Sequence, residues 1–340
     1  MKYIISAGGT GGHIYPGIVI ANEMIKNGDE VIFIASNREI DKKILKDCEF
    51  QVKHYKMNGF IRSFKPVSIL KNLLNLVYMF YVYIRLTFLY ISYRPYAIIG
   101  MGGFISYPVV SYAVLLNFRT FIHEQNSYPG LVNRKLAPKV TAVFYTYESC
   151  LKYFKCTHEH FIYTSNPRIE IAKKNITSEK KDYILFMGGS LGAQQINNIA
   201  IEYANHHHQK IKLVVGNRYF EEYKQKANDY IEIIEYLNDP LSMMSEAKIV
   251  VTRAGATTLL ECVAMDVRIL AIPSPNVVED HQSINAKEVQ KFGIISILSE
   301  NDLTLNSFEQ KINELECMKP CQNILTDINS IDLIIKNIKE

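Results

Sequence analysis

Two glycine-rich turns, one near the start of each half of the chain, constrain the fold more than any other feature. Gly8-Gly9-Thr10-Gly11-Gly12-His13 follows the apolar run Tyr3-Ile4-Ile5, and Gly188-Gly189-Ser190-Leu191-Gly192 follows Tyr183-Ile184-Leu185-Phe186-Met187. Each reads as strand, tight turn, helix start. Such a turn lets the backbone approach a phosphate and aims helix N–H groups at it. Two such units about 180 positions apart predict two similar α/β domains facing one cleft, a plan that suits a ligand carrying phosphate.

The rest of the pattern agrees. Short β-rich runs at 3–6, 31–35, 97–100, 120–123 and 142–145 alternate with helical patterns such as 16–26 and 107–116. The second half repeats the scheme with runs at 183–187, 211–215, 231–234, 249–252, 268–272 and 294–298. Strands alternating with helices predict doubly wound parallel sheets covered on both faces. At 340 residues the chain is long for one core and comfortable for two. The polar stretch 166–182 is the best linker, which sets domains at 1–165 and 166–323, with a helix at about 324–340 free to pack back on the first. Six scattered cysteines with no CxxC pair, and a start that runs directly into the first strand without a secretory leader, point to a reduced, cytosolic chain.

The net charge of +4 hides an asymmetry. Residues 1–165 hold 19 Lys+Arg against 10 Asp+Glu, a net of +9, so the remainder carries −5. No acid occurs between Glu49 and Glu124, a stretch holding Lys53, Lys56, Arg62, Lys65, Lys71, Arg85, Arg94 and Arg119. These are either solvated surface charges or a face for an anionic partner. Residues 73–93, LLNLVYMFYVYIRLTFLYISY, lie inside it and pass the usual length of about 20 residues for a membrane span. Arg85 near the middle argues against spanning, since a charge there costs roughly 2.5–3.5 kcal/mol even on a lenient scale. So do the interleaved tyrosines, and so does the strand at 97–100, which must rejoin the sheet begun at Tyr3. The pattern predicts one or two helices that partly cover the sheet and partly dip into an anionic membrane face; an unusually apolar buried helix is the other reading.

The motifs narrow the chemistry. The first turn is not GxGxxG, since the sixth position counted from Gly9 is Ile14, and the strand at 31–35 ends without the acid that would hold a ribose. A P-loop lysine is also missing. Dinucleotide chemistry is therefore disfavoured. His13 closes the first turn with an imidazole suited to proton abstraction at neutral pH, or to capping the helix or contacting phosphate. Gly100-Met101-Gly102-Gly103 is a second candidate phosphate cradle or a plain strand-to-helix turn. Arg253-Ala254-Gly255-Ala256-Thr257-Thr258-Leu259-Leu260-Glu261 places a carboxylate about one turn into a helix, where it could accept hydrogen bonds from sugar hydroxyls or simply face water. Asp280-His281-Gln282 opens another helix with side chains suited to hydroxyl recognition.

Taken together and in order, His13 with its loop, GMGGFISYP at 100–108, HEQNSYPGLVNRKLA at 123–137, GGSLGAQQIN at 188–197, RAGATTLLE at 253–261 and DHQSINA at 280–286 resemble the MurG family, UDP-N-acetylglucosamine transferases that complete lipid II of peptidoglycan. The resemblance covers nearly the whole chain. It implies a GT-B fold of two Rossmann-like domains with the active site between them. It implies donor or acceptor contacts from Thr10, Gly11, Gly12 and Asn126, and diphosphate contacts from Ser190 and Arg168. It implies uracil recognition by the Leu237 backbone, ribose recognition by Glu261, N-acetylglucosamine recognition by Gln282, and a base role for His13. The family usually reads Asn-Pro-x-Arg where this chain reads Asn166-Pro167-Arg168-Ile169, one place early. Some members carry Gln-Gln where this chain has His281-Gln282, and tryptophan is absent.

The implied reaction is an inverting transfer: the 4-hydroxyl of the muramoyl sugar of undecaprenyl-linked lipid I attacks the anomeric carbon of UDP-N-acetylglucosamine. The departing UDP charge falls to the second-half helix N-terminus together with Arg168 or Arg253. With no Asp-x-Asp motif, no metal or cofactor is expected, and nucleic acid is not an expected partner. The expected location is the cytoplasmic face of the bacterial cell membrane, peripherally bound. Other readings are a different GT-B transferase acting on a lipid-linked sugar or diacylglycerol, a UDP-N-acetylglucosamine epimerase, and a non-catalytic nucleotide-sugar-binding subunit at the membrane.

Overall fold

The computed structural model describes residues 1–340 except 60, 62, 64, 178, 190, 191, 238 and 319–328, and the side chain of Val278. The chain forms two compact units, 1–167 with 329–340, and 168–328. In the first unit the order is β1 (Lys2–Ser6), α1 (Gly11–Lys26), β2 (Glu30–Ser36), α2 (Glu39–Leu45), β3 (Gln51–Tyr55), α3 (Pro66–Tyr93), β4 (Ala97–Gly100), α4 (Ser106–Leu115), β5 (Arg119–Glu124), α5 (Leu131–Leu136), β6 (Ala142–Tyr145) and β7 (Phe161–Tyr163). The second unit runs α6 (Arg168–Lys174), β8 (Ile184–Met187), α7 (Gln194–His207), β9 (Ile211–Val214), α8 (Phe220–Tyr223), β10 (Ile231–Ile234), α9 (Leu241–Glu246), β11 (Ile249–Thr252), α10 (Ala256–Ala264), β12 (Arg268–Ala271), α11 (His281–Val289), β13 (Ile295–Ile297) and α12 (Leu305–Cys317). A last helix, α13 (Ser330–Lys339), returns to the first unit.

Both sheets are parallel and doubly wound. Their orders are β3-β2-β1-β4-β5-β6-β7 and β10-β9-β8-β11-β12-β13. The reversals fall between β1 and β4, with Tyr3 beside Ala97, and between β8 and β11, with Ile184 beside Ile249. Ligands of such sheets collect at the carboxyl ends of the strands flanking the reversal. The central strands are near-continuous apolar runs because both faces are covered: Tyr3, Ile4, Ile5, Ile98 and Ile99 are buried in one unit, and Leu185, Phe186, Val250 and Val251 in the other.

The strands expected from the sequence are present, with ends shifted by about a residue. Two further strands lie at sheet edges where the sequence predicts none. β3 is polar, with only Tyr55 buried, and β7 is three residues long. Edge strands bury little and so lack an apolar signature. Helix α1 begins at Gly11 rather than Pro16: the glycines form its first turn, and Pro16 lies inside it. The expected linker is partly structure, because α6 starts at Arg168 and buries Arg168, Ile169 and Ala172.

Residues 66–93 form one continuous helix, about 42 Å long at 1.5 Å per residue. Its C-terminal half packs into the core, where Val82, Leu86, Leu89 and Tyr90, spaced one and two turns apart, meet Val109, Val110 and Ala113 of α4. Its N-terminal half is tied by polar contacts, the buried Asn75 donating to Gly59 O at 3.3 Å and Asn72 bonding the Ile61 backbone at 2.9 Å. In the N-terminal half Leu70, Leu73, Leu74, Val77 and Phe80 are exposed. α13 packs four isoleucines, Ile331, Ile334, Ile335 and Ile338, inward and is tied to the first unit by Lys339, whose ammonium lies 3.0 Å from Asp29.

Candidate functional site

In the first unit the site residues gather at the β1–β4 reversal. The first glycine turn is held from beneath. Asp41 of α2, fully buried, accepts the Gly9 N–H at 3.1 and 3.2 Å and the Ser36 hydroxyl at 2.5 Å. That carboxylate occupies the amide that a phosphate cradle would offer at Gly9. The candidate anion site of this turn is therefore the α1 N-terminus itself, at Gly11 and Gly12, with Thr10 as its N-cap.

His13 sits in the first turn of α1, half-buried, with Nδ1 3.1 Å from the Thr10 hydroxyl. If Nδ1 carries the proton and donates to Thr10, Nε2 is the basic nitrogen, the tautomer a general base requires. The second turn explains itself through this ring. A Cβ at Gly102, which has a φ of +101°, would lie 2.8 Å from His13 Cδ2. Gly102 is thus the floor on which the imidazole rests. Around it the turn is locked by Ser106 Oγ, which donates to Gly102 O at 2.7 Å, and by Gln125 Nε2, which donates to Met101 O at 2.9 Å.

Asn126 follows the end of β5. Its backbone N–H and side-chain amide both donate to Glu124 Oε1, at 2.9 and 3.0 Å. Glu124 Oε2 accepts from Gly130 N at 3.0 Å and Asn133 Nδ2 at 2.8 Å. Burial pushes the Glu124 carboxyl above the ordinary glutamate range, with these hydrogen bonds pulling the other way. Beside it, His123 is fully buried, and burial drops its imidazole from 6.5 to about 4, against the bond its Nε2 makes to Ser165 O at 2.9 Å.

In the second unit the residues gather at the β8–β11 reversal. Gly192, at a φ of +74°, closes the second turn where a Cβ would lie 2.1 Å from Val215 O, so no other residue fits. Helix α7 starts two residues later, at Gln194. Ser190, the expected diphosphate contact, lies outside the described residues. Beyond β11, α10 starts at Ala256 and buries Glu261 to 4% exposure, which corrects the reading of Glu261 as a water-facing residue. Arg168 of α6 donates from Nε to Glu261 Oε1 at 2.6 Å, and its Nη2 lies 3.4 Å from Asp239 Oδ1. Burial drives the Glu261 carboxyl upward and Arg168 draws it down. Burial also opposes the charge on Arg168, and its two carboxylate partners outweigh that, so the guanidinium stays charged.

Gln282, in the first turn of α11, accepts the Ser274 N–H on Oε1 at 2.8 Å, which leaves its amino group as the donor a sugar hydroxyl would meet. Leu237 is half-buried in the segment after β10, where its backbone groups lie close in sequence to Asp239. Arg253, the other arginine considered for the leaving charge, donates to Ile272 O and Pro273 O at 3.2 Å and pairs with Glu300. It is a brace for the loop rather than a ready anion contact. Among the described residues no group of three or more His, Cys, Asp or Glu side chains could hold a metal ion. Sequence reasoning missed Asp41, Glu124 and Asp239. Glu124 lay inside the quoted HEQN segment; Asp41 and Asp239 were missed because the contacts that place them at the site, with Gly9 and Arg168, span 32 and 71 positions.

Two doubly wound Rossmann-like units, each with a glycine turn opening a helix at its sheet reversal, define the GT-B fold. The glycosyltransferase family 28 N-terminal domain matches residues 3–145, and the family 28 C-terminal domain matches residues 183–336. The UDP-N-acetylglucosamine--N-acetylmuramyl-(pentapeptide) pyrophosphoryl-undecaprenol N-acetylglucosamine transferase of Thermoanaerobacter sp. (strain X514) is 32% identical, over 93% of this chain and 91% of the relative. The enzyme of the same name from Halothermothrix orenii is 33% identical, over 93% and 90%. The chain belongs to this family of N-acetylglucosaminyltransferases. In fold it is also similar to the crystal structure of Acinetobacter baumannii MurG, at a TM-score of 0.68, 22% identity and 99% coverage of both chains.

Proposed function

We propose that this enzyme transfers N-acetylglucosamine from UDP-N-acetylglucosamine to the 4-hydroxyl of the muramoyl sugar of lipid I, with inversion, giving lipid II. The observation that carries the reading is the full-length relationship to transferases of that name. The acceptor oxygen attacks the anomeric carbon and its proton passes to His13 Nε2, Thr10 holding Nδ1. The bond from the anomeric carbon to the diphosphate oxygen breaks, and UDP leaves. Charge developing on the diphosphate is stabilised by the α7 N-terminus with Ser190. Glu261 takes the ribose hydroxyls, the Leu237 backbone takes uracil, and Gln282 reads the transferred sugar. Thr10, Gly11, Gly12 and Asn126 serve the reacting groups from the first unit.

The first unit is also the membrane-docking unit, on the cytoplasmic leaflet. Helix α3 is long and apolar enough to cross a membrane by length and composition. Its C-terminal half is packed into the protein core, however, and β4 follows directly to pair with β1. What remains is an apolar row with Lys65 and Lys71 exposed at its start and Arg94 exposed at the far end of the helix, suited to inserting into one leaflet of an anionic surface. The test is label transfer from UDP-N-acetylglucosamine to purified lipid I. Product on lipid I, and none on diacylglycerol, is expected. Label on diacylglycerol alone supports the other transferase reading, and binding without turnover supports a non-catalytic subunit.

A further inference from the structure

Arg168 is the residue whose position fits its expected role least. A diphosphate contact needs a guanidinium facing the ligand. This one is 7% exposed, and its Nε is bonded to a buried carboxylate in the same unit. The fork reaches two places that matter for a nucleoside. Nε meets Glu261 Oε1 at 2.6 Å, and Nη2 lies 3.4 Å from Asp239, two residues beyond Leu237. Asp239 is itself fixed, accepting the Leu241 N–H at 3.2 Å on the same oxygen. Glu261 has Oε1 engaged, and among the described residues Oε2 has no hydrogen-bond partner. A carboxylate held by one oxygen, with the other open, is placed to receive a pair of vicinal hydroxyls. A buried carboxylate without a cation would neutralise instead and lose that capacity.

We infer that Arg168 is a positioning residue for nucleoside recognition: it clamps Glu261, and with it the Asp239 segment, for the ribose hydroxyls, and it makes no contact with the diphosphate. The inference rests on the assignment of Glu261 to ribose. It explains how an arginine one place early in the chain serves the site: at the start of α6 it reaches across to α10 rather than outward to a ligand.

The experiment compares binding of UDP and 2′,3′-dideoxy-UDP by calorimetry. Wild-type enzyme binds UDP more tightly than the dideoxy analogue; equal affinities would remove the ribose assignment of Glu261 itself, independently of Arg168. Arg168→Met is expected to weaken UDP binding by roughly 10- to 100-fold, the range for hydrogen bonds to charged groups. It should weaken the dideoxy analogue markedly less, because that ligand never used Glu261. Arg168→Lys keeps the charge without the fork and should fall between. An equal loss on both ligands shows direct diphosphate contact and overturns the inference, as does no loss on either. Should Arg168→Met fail to fold, the same comparison on Arg168→Lys decides.

Discussion

Glu124 and Glu261 are the same residue type, both deeply buried, one in each unit, and they are used in opposite ways. Glu124 spends both oxygens on four N–H donors from Asn126, Gly130 and Asn133, none of them cationic. Glu261 is bonded through Oε1 to a single guanidinium. The first is saturated by two backbone and two side-chain N–H groups; the second has acceptor capacity to spare. Burial alone therefore does not distinguish the two carboxylates, whereas the count of engaged oxygens does. The contrast extends to the units. The first uses its polar interior to hold a glycine loop, with Asp41 under the first turn and Gly102 under His13, while the residues proposed for the nucleotide belong to the second.

The sharpest way to break this division is through His13. General-base removal typically costs roughly 10²–10⁴-fold in rate, so His13→Ala should reduce turnover by that factor while UDP-N-acetylglucosamine affinity holds. Turnover within a few-fold of wild type would make His13 a capping or phosphate-contacting residue, and the first unit would lose its claim to the chemistry.

Acid stability tests whether the first unit's interior is as fixed as its hydrogen bonds suggest. His123 is neutral in the fold, its pKa lowered from 6.5 to about 4. The unfolded chain therefore binds the proton first, and the stability His123 contributes is full above pH 6.5 and lost as pH falls toward 4. At about 1.4 kcal/mol per unit, that amounts to roughly 3 kcal/mol. Glu124 and Glu261, raised in the fold, act with the opposite sign: their contribution favours the folded state at low pH and is lost as pH rises through their folded values. The measurement is accordingly a difference. Urea unfolding of wild type and His123→Gln, from pH 7 to pH 4, should show the wild type losing more stability. Parallel curves would mean the imidazole is not buried neutral.

The two glutamates can be compared directly. Glu261→Ala should weaken UDP-N-acetylglucosamine binding by about 1.5–3 kcal/mol, the range for a hydrogen bond to a charged group. Glu124→Ala should weaken it by less than Glu261→Ala does, because Glu124 bears on the site only through Asn126, which it holds. It should also lower the melting temperature, because four donors lose their acceptor. Calorimetry and thermal melts on the two variants would refute the division if the effects were exchanged.

How much of this is legible in the sequence follows from where each signal resides. The central strands, the glycine turns and the helix starts after them are local patterns of apolar residues and glycine, readable to within about a residue. β3 and β7 are not, because an edge strand buries too little to need apolar alternation. The start of α1 is hidden because glycine is a poor helix former that here serves as the first turn. The chemistry-bearing residues stand out one at a time, but their partners do not. Nothing in Asp41, Asp239 or Arg168 announces a contact with residues 32, 71 or 93 positions away. That information exists only once the sheets bring those positions together.

The units differ at the surface as well, and the smallest predicted effect per residue lies there. Among the described residues of the second unit, the exposed large hydrophobic side chains are Ile176 and Tyr230; the first unit exposes a whole row along α3. Each basic residue near an anionic membrane contributes about 1 kcal/mol, weakened by salt. Vesicle binding should rise with anionic lipid and fall with salt, with a salt-resistant remainder from the apolar face. Replacing Lys65, Lys71 and Arg94 with Glu should remove the salt-sensitive part, and replacing Leu70, Leu73, Val77 and Phe80 with Ser should remove the remainder. Donor affinity should survive both sets, since the residues proposed for the nucleotide belong to the second unit. Protease protection that places Gly59 and Asn117 on opposite sides of the bilayer would overturn the one-leaflet reading. It would also be incompatible with the fold, because α3 would have to release Val82, Leu86 and Leu89 from the core and β4 could no longer pair with β1.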